Sequence, residues 1–415
     1  MKWVISMAKT IITKKIIIVG SGITAITAIK AIREIDLDSD ICLIGEEKFY
    51  PYTRIKLSKS LFANLEENSI LIQKKEWYEQ NNVKILINTK VVSIDSNSHE
   101  VSLSNGSNLS YDKLLIANGA SNNVPPIDGI GMNGVYTLRS LNDALNIKEK
   151  LNENTNVIIL GGGILGLEMA FILHQHNIKV TIVELCPRLM PRQLDDKASE
   201  ILKSKIQSCG IQILTNTCVN KIIGTDNKVE GILINEDVEL KCDIVIHSIG
   251  IKPNMDLILK TDIKRERGIL VNNKMETNIK DIYAAGDVAE FDNQVIGLWN
   301  IAISQGKIAG YNISGRDAIY EKITPVTMLN AFGISLFSMG CIEESNSTKV
   351  LSCEDINGNS YKKIFIKNNK IIGAIVIGDA RRSPLLKSAI EKELPLDGIN
   401  LSTISVDELL DKLKK

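Results

Sequence analysis

The sequence predicts an α/β protein: two parallel-sheet nucleotide-binding units followed by a small α+β region. Three observations predict it. A strand–glycine turn–helix–strand unit opens after Lys14–Lys15, and the same unit returns at 156–184. Each unit turns on a glycine-rich loop, the first at Gly20 and the second at Gly161. From about residue 320 the pattern changes to alternating strands, with KIFIKNNKIIGAIVIG at 363–378 reading as a hairpin.

In the first unit, IIIVG at 16–20 is a short β-branched run ending in glycine, the signal of a buried parallel strand. SGITAITAIKAIREI then reads as a helix and ICLIG as the next strand. Between the units, a helical stretch is expected near 66–82, short strands near 83–103 and a strand in LLIANGA. PPIDGIGMNG at 125–134 punctuates a crossing between domains. In the second unit NVIILGGG leads into the helix LGLEMAFILHQH and the strand KVTIVE. The apolar run 157–173 raises the question of a membrane span. It holds four glycines and Glu168 and is short for one, so a buried strand–turn–helix is expected instead. Short strands near 211–246 and a helix near 299–312 come next; the helix PLLKSAIEKEL and an amphipathic DELLDKLKK close the chain.

Composition bounds the function. The 415 residues allow two to three domains, and 44% hydrophobic with 24% charged residues is ordinary for a globular protein. Lys+Arg and Asp+Glu are both 49, which argues against a general nucleic-acid binder. The seven cysteines show neither C-x2-C nor C-x4-C spacing. Most are expected reduced and in the core, which favours a cytoplasmic location. The N-terminal MKWVISMAKTIITKK is not read as a signal peptide, because Lys9 breaks its apolar run. His174 and His176 do not share a helix face, so no metal site is expected.

Gly20, Gly22 and Ala25 form a G-x-G-x-x-A turn between strand and helix. Such a turn lets the backbone approach a pyrophosphate, and the helix aims its free N–H groups at the phosphates. Glu46 and Glu47 follow the next strand, where an acid accepts hydrogen bonds from a ribose. The second turn, Gly161, Gly163, Ile164, Leu165 and Gly166, is a full G-x-G-x-x-G, and Glu184 closes its strand. An acid there favours NADH over NADPH, a preference that Arg188 and Arg192 nearby would soften. Both units are thus Rossmann-like dinucleotide-binding domains.

These units, with YDKLLIANGA, DIVIHSIGIKPN and GILVNNKMETNIKDIYAAGDVAEF, resemble the two-dinucleotide-fold flavoprotein reductases of the glutathione-reductase type over about residues 14–395. The resemblance implies an FAD domain at 1–122 and 251–320, split by an NAD domain at 123–250, with a C-terminal α+β domain at 321–415. It implies that Asp287 hydrogen-bonds the FAD ribityl chain and that Asn118 and Gly119 line the flavin nucleotide. The family usually has Ala-Thr-Gly where this chain has Ala-Asn-Gly, so one hydroxyl contact is missing. Val92 is assigned to FAD, Arg54 and Arg139 to its phosphate side, and Gly250 to NAD. GLWNIAISQGKIAGYNISG resembles the helix whose N-terminus faces the flavin pyrimidine, with Trp299 covering the ring.

Dithiol reductases of this kind need a redox cysteine after the first turn or near 51–62, and a histidine base near the C-terminus. Neither is present: Cys42 lies in a strand and is expected in the core, and no histidine follows His247. Instead PYTRIKLSK resembles the P-Y-x-R-P-x-L-S-K segment of reductases that serve rubredoxin-type proteins. In those a lysine beside flavin N5, matching Lys59 here, pairs with a glutamate matching Glu168. A glutamate in an apolar helix needs such a partner on physical grounds as well. The region after 320 is similar to NADH:rubredoxin reductases and to the flavin-binding part of nitrite reductase large subunits. The reading is therefore an NADH oxidoreductase passing electrons through FAD to a small iron–sulfur carrier such as rubredoxin. Arg381, Arg382 and Lys387 are a candidate docking cluster. The alternatives are a nitrite reductase flavin module and a non-enzymatic NADH-responsive sensor.

Overall fold

The structure, a computed structural model, describes residues 13–235, 238–355 and 360–414. The start of the chain, read above for a leader, lies almost wholly outside them. The chain divides into two compact units. The first comprises residues up to Lys56, Asn64–Ser121 and Ile251–Lys322; the second comprises Leu57–Ala63, Asn122–Gly250 and Ile323 onward.

In the first unit a parallel five-stranded sheet runs Ile282–Ala284, Lys113–Ile116, Lys15–Val19, Asp40–Ile44, Val83–Leu86. The central strands carry the β-branched runs because both faces of the sheet are covered. Helix Ile23–Arg33 buries Ala25, Ile26, Ala28, Ile29, Ala31 and Ile32. The stretch 66–82, expected to be helical, is two short helices, Glu67–Ile70 and Lys75–Gln80. Leu71 is drawn out of helical geometry by an antiparallel bridge to Tyr52.

The second unit holds another parallel sheet: Gln212–Leu214, Lys179–Val183, Asn156–Leu160, Ile244–His247, Val135–Tyr136. Helix Ile164–Gln175 follows strand Asn156–Leu160 directly, so the apolar run at 157–173 is a strand–turn–helix. No helix among the described residues is long and apolar enough to cross a membrane. The same unit contains an antiparallel sheet in the order Val326–Ala331, Ile334–Gly340, Lys370–Gly378, Tyr361–Lys367, Lys349–Glu354. Helices Ser383–Glu391 and Val406–Lys412 bury Leu386, Ala389, Leu409 and Leu410 in the core formed with this sheet. The hairpin expected at 363–378 is its central pair.

All seven cysteines are free, but the core expectation fails for most of them. Cys242 is buried, Cys218 is exposed and the other five are partly exposed. Cys218 sits where the chain enters an edge strand, Val219–Thr225, which leaves its side chain in solvent. Cys42 packs against the edge of the first unit's core rather than inside it, and burial still pushes its thiol pKa up.

Candidate dinucleotide sites and an acid–lysine contact

Gly20 adopts φ +106°, and a side chain there would strike the Ala117 carbonyl at 2.2 Å. Gly161 adopts φ +112° and is closed off in the same way by the Ser248 carbonyl at 2.5 Å. Two residues on, Gly22 and Gly163 begin their helices with no side-chain cap, and an added Cβ at either meets nothing within 4 Å. Each turn is thus closed behind by backbone and open in front, at a helix start that no side chain caps. That is the cradle a pyrophosphate fits. A third helix, Trp299–Ile313, also starts without a side-chain cap, at half-buried Trp299.

Glu46, Glu47, Arg54, Val92, Asn118 and Gly119, assigned to FAD, lie in the first unit. Glu47 pairs with Arg54 at 2.5 Å and accepts from the Tyr52 hydroxyl at 2.7 Å. Burial lowers the Arg54 pKa, but Tyr52, Glu47 and Asp287 outweigh it and raise it. Glu46 is exposed and pairs with Lys90 at 2.8 Å; Val92, two residues beyond Lys90, is exposed. Asn118 and Asn254 form a reciprocal clamp: each amide donates to the other's backbone carbonyl, at 3.0 and 2.9 Å. The Asn118 Oδ1 is buried and has no partner. It sits beside the turn, since Asn118 Cα would lie 2.7 Å from a Cβ on Gly20. A buried acceptor awaiting a donor fits a hydroxyl-rich nucleotide. Gly119 holds φ +67° and its carbonyl accepts from Asn254 N–H at 3.0 Å.

Around the second turn, Glu184 is buried and both its oxygens are seated. Oε2 accepts from Gly162 N–H at 2.6 Å and Oε1 from Cys186 N–H at 2.7 Å. Gly166 packs against the Gly161 carbonyl, while Leu165 is exposed on the turn. Gly250 has φ +99°, and its carbonyl accepts from Asn123 N–H. Arg188 is occupied by Asp196 Oδ1 and the carbonyls of Leu194 and Pro191.

Lys59 and Arg139, also assigned to FAD, belong to the second unit. Arg139 precedes Ser140, which caps helix Leu141–Lys150 in a capping box with Asp143. Lys59 Nζ lies 3.8 Å from Glu168 Oε1. Ser58, not singled out from the sequence, is buried and donates to Glu168 Oε2 at 3.2 Å. Its adjacency to Lys59 was the only signal available. The docking cluster does not survive as free charge. Arg381 pairs with Asp379 at 2.7 Å, Arg382 with Asp411 at 2.6 Å and Lys387 with Glu391 at 3.8 Å. Short local spacings and the nearby C-terminal helix supply these acids. No group of three or more His, Cys, Asp or Glu able to hold a metal occurs among the described residues.

A family described as pyridine nucleotide-disulphide oxidoreductase matches residues 14–306, and the rubredoxin NAD+ reductase C-terminal domain matches 325–394. An NADH-rubredoxin oxidoreductase from Clostridium acetobutylicum is 39% identical over 96% of this chain and 99% of its own length. The crystal structure of NADH:rubredoxin oxidoreductase from that organism superposes with a TM-score of 0.82 at 37% identity, covering 97% of this chain and all of that one. A nitrite reductase [NAD(P)H] from Bacillus subtilis is 32% identical over 92% of this chain, which spans about half (47%) of that relative. On the match across 14–306, the chain belongs to the pyridine nucleotide-disulphide oxidoreductase family and is an FAD- and NAD(P)H-binding oxidoreductase.

Proposed function

We propose that this enzyme oxidises NADH and delivers the electrons, through FAD, to rubredoxin or a similar small iron–sulfur protein. The likeness to the clostridial relative along nearly the full length of both chains carries the reading. FAD, when bound, supplies the exchange between a two-electron hydride and single electrons. The chain's part is to bind, orient and balance charge. The first turn and the uncapped N-terminus of helix Ile23–Arg33 would hold its pyrophosphate. Glu46 is the acid for its ribose: its pair with Lys90 is exposed on both sides, whereas Glu47 sits between Arg54 and Tyr52. Asn118 Oδ1 would accept from the nucleotide, and Asp287 lies near enough to Arg54 to help raise its pKa.

Glu184 receives the adenosine ribose of NADH. Its carboxylate repels the extra phosphate of NADPH, and Arg188 is tied to its own loop and does not offset it. Lys59 and Glu168 are the polar pair at the reacting centre, where related reductases use a thiol. A cytoplasmic location goes with the seven free thiols.

The test is anaerobic flavin bleaching by NADH, followed by steady-state NADH oxidation with rubredoxin, ferredoxin, nitrite or oxygen as acceptor. Rapid bleaching with turnover on rubredoxin is expected. A flavin that bleaches and then gives nothing to rubredoxin sinks the acceptor assignment. A second reading, a flavin module serving a separate siroheme protein, is favoured by the nitrite reductase likeness over 92% of the chain. Recovery of a siroheme partner with nitrite-dependent turnover would select it.

A further inference from the structure

Glu184 is followed by a loop, 185–195, that is gripped at both ends. At one end Met190 N–H donates to the Gly162 carbonyl at 3.1 Å. Gly162 N–H donates to Glu184, and the Leu189 side chain covers the space where a Gly162 side chain would be. Both backbone groups of Gly162 are thus used, one residue before the helix cap at Gly163. Met190 is held at φ +48°, a region a bulky side chain keeps only when its surroundings over-determine it. Leu189, Met190 and Leu194 are fully buried.

At the other end the grip comes from the antiparallel C-terminal sheet. Ser338 donates to the Gln193 carbonyl at 2.6 Å. Asp195 Oδ2 accepts from Tyr361 at 2.8 Å and from Lys363 at 2.7 Å, while its Oδ1 caps helix Asp196–Ser208 through Ala198 N–H. Lys363 is also paired with Glu344 at 2.6 Å. Hydrogen bonds and a short run of backbone therefore lead without a gap from the sheet to the phosphate turn.

We infer that Ser338, Asp195, Tyr361 and Lys363 are positioning residues for pyridine-nucleotide binding: the C-terminal sheet holds the loop that seats Gly162 and Glu184. This rests on the reading of that turn as the NADH site. The holoenzyme variants Ser338→Ala/Tyr361→Phe and Lys363→Met test it by stopped-flow bleaching across NADH concentrations.

The apparent Kd is expected to rise about three- to tenfold, the change one or two hydrogen bonds carry, with the limiting rate within about twofold of the parent. Lys363→Arg keeps the charge and restores a Kd near the parent's. An unchanged Kd alongside a lowered melting temperature overturns the inference, and so does a limiting rate that falls in step with affinity. Tyr361→Phe alone, nearly isosteric, is read on the same criteria if the other variants do not fold. Glu184→Ala separates the two readings. If it too leaves Kd unchanged, the site reading is wrong. If it raises Kd while the sheet variants do not, only the positioning role is wrong.

Discussion

Gly161 and Gly163 stand two residues apart in one turn, yet the structure asks different things of them. Gly161 needs positive φ and has the Ser248 carbonyl against it. Gly161→Ala should therefore destabilise the fold by about 2 kcal/mol or more, visible as a lower melting temperature. Gly163 has an ordinary backbone and open space in front of it. Gly163→Ala should change stability by less than about 1 kcal/mol, the scale of an N-cap exchange. If the open space belongs to the pyrophosphate, the same methyl weakens NADH binding by about tenfold or more. A Gly163→Ala protein that melts early and binds NADH normally would reverse the assignment. The pair of measurements asks whether each glycine serves the chain or the ligand.

At the scale of elements, the segment Leu57–Ala63 is the informative one. Its flanks in sequence belong to the first unit, and it belongs to the second. Ser58 and Lys59 hold Glu168, Phe62 stacks on His176 with ring centroids 3.9 Å apart, and Lys148 donates to the Ala63 carbonyl. Lys59 is 63% exposed, so its ion pair contributes little to stability, under about 1 kcal/mol. Glu168→Gln should accordingly melt close to the parent. If the pair serves the reacting centre, flavin reduction by NADH falls about tenfold or more in the same protein. Equal rates would leave the pair a surface contact. The Lys363–Asp195 contact is the opposite case, largely shielded on both sides. Burial pushes the Asp195 carboxyl up, but Lys363, Ala198 N–H and Tyr361 hold it below its ordinary 3.8. Burial pushes Lys363 down, but Asp195 and Glu344 hold it above 10.5. The first contribution is lost only as pH falls through the depressed carboxyl value, the second only as pH rises through the elevated lysine value. Lys363→Met should cost near the lower end of the ~3–5 kcal/mol for a broken buried pair, because Tyr361 and Ala198 still serve Asp195. That gap in melting temperature should be flat between roughly pH 5 and 9 and shrink in acid below about pH 4. A gap that moves through neutral pH would implicate another group.

Across the whole molecule, what was legible in the sequence is what local chemistry announces. Both glycine turns, their strands and Glu184 were readable because φ demands, β-branched runs and turn-to-acid spacing are short-range signals. Glu168 stood out as a lone carboxylate in an apolar helix. The grip of Lys363 on Asp195 spans 168 residues and that of Ser338 on Gln193 spans 145, and no periodicity reports such pairings. The basic residues at 381, 382 and 387 were visible in the sequence, as a docking cluster or simply a solvated face, but their partners were not: Asp411, the partner of Arg382, comes from a different helix. That pairing bears on how an acidic carrier is met. The chain has 49 basic and 49 acidic residues, so it offers no net charge to steer a partner from a distance. Charges at 381, 382 and 387 are each balanced within 4 Å and present little field beyond a Debye length of about 8 Å at physiological salt. With rubredoxin as acceptor, kcat/KM should therefore fall less than about tenfold from low salt to 0.15 M, well short of a strongly steered pair. Arg381→Ala and Lys387→Ala each leave an acid uncovered and shift the net charge by only one unit, which salt screens, so each should leave it within about twofold at 0.15 M. A steep salt dependence abolished by either change would restore this surface as the docking site. A steep dependence that neither change touches would place the attracting charge elsewhere on the chain.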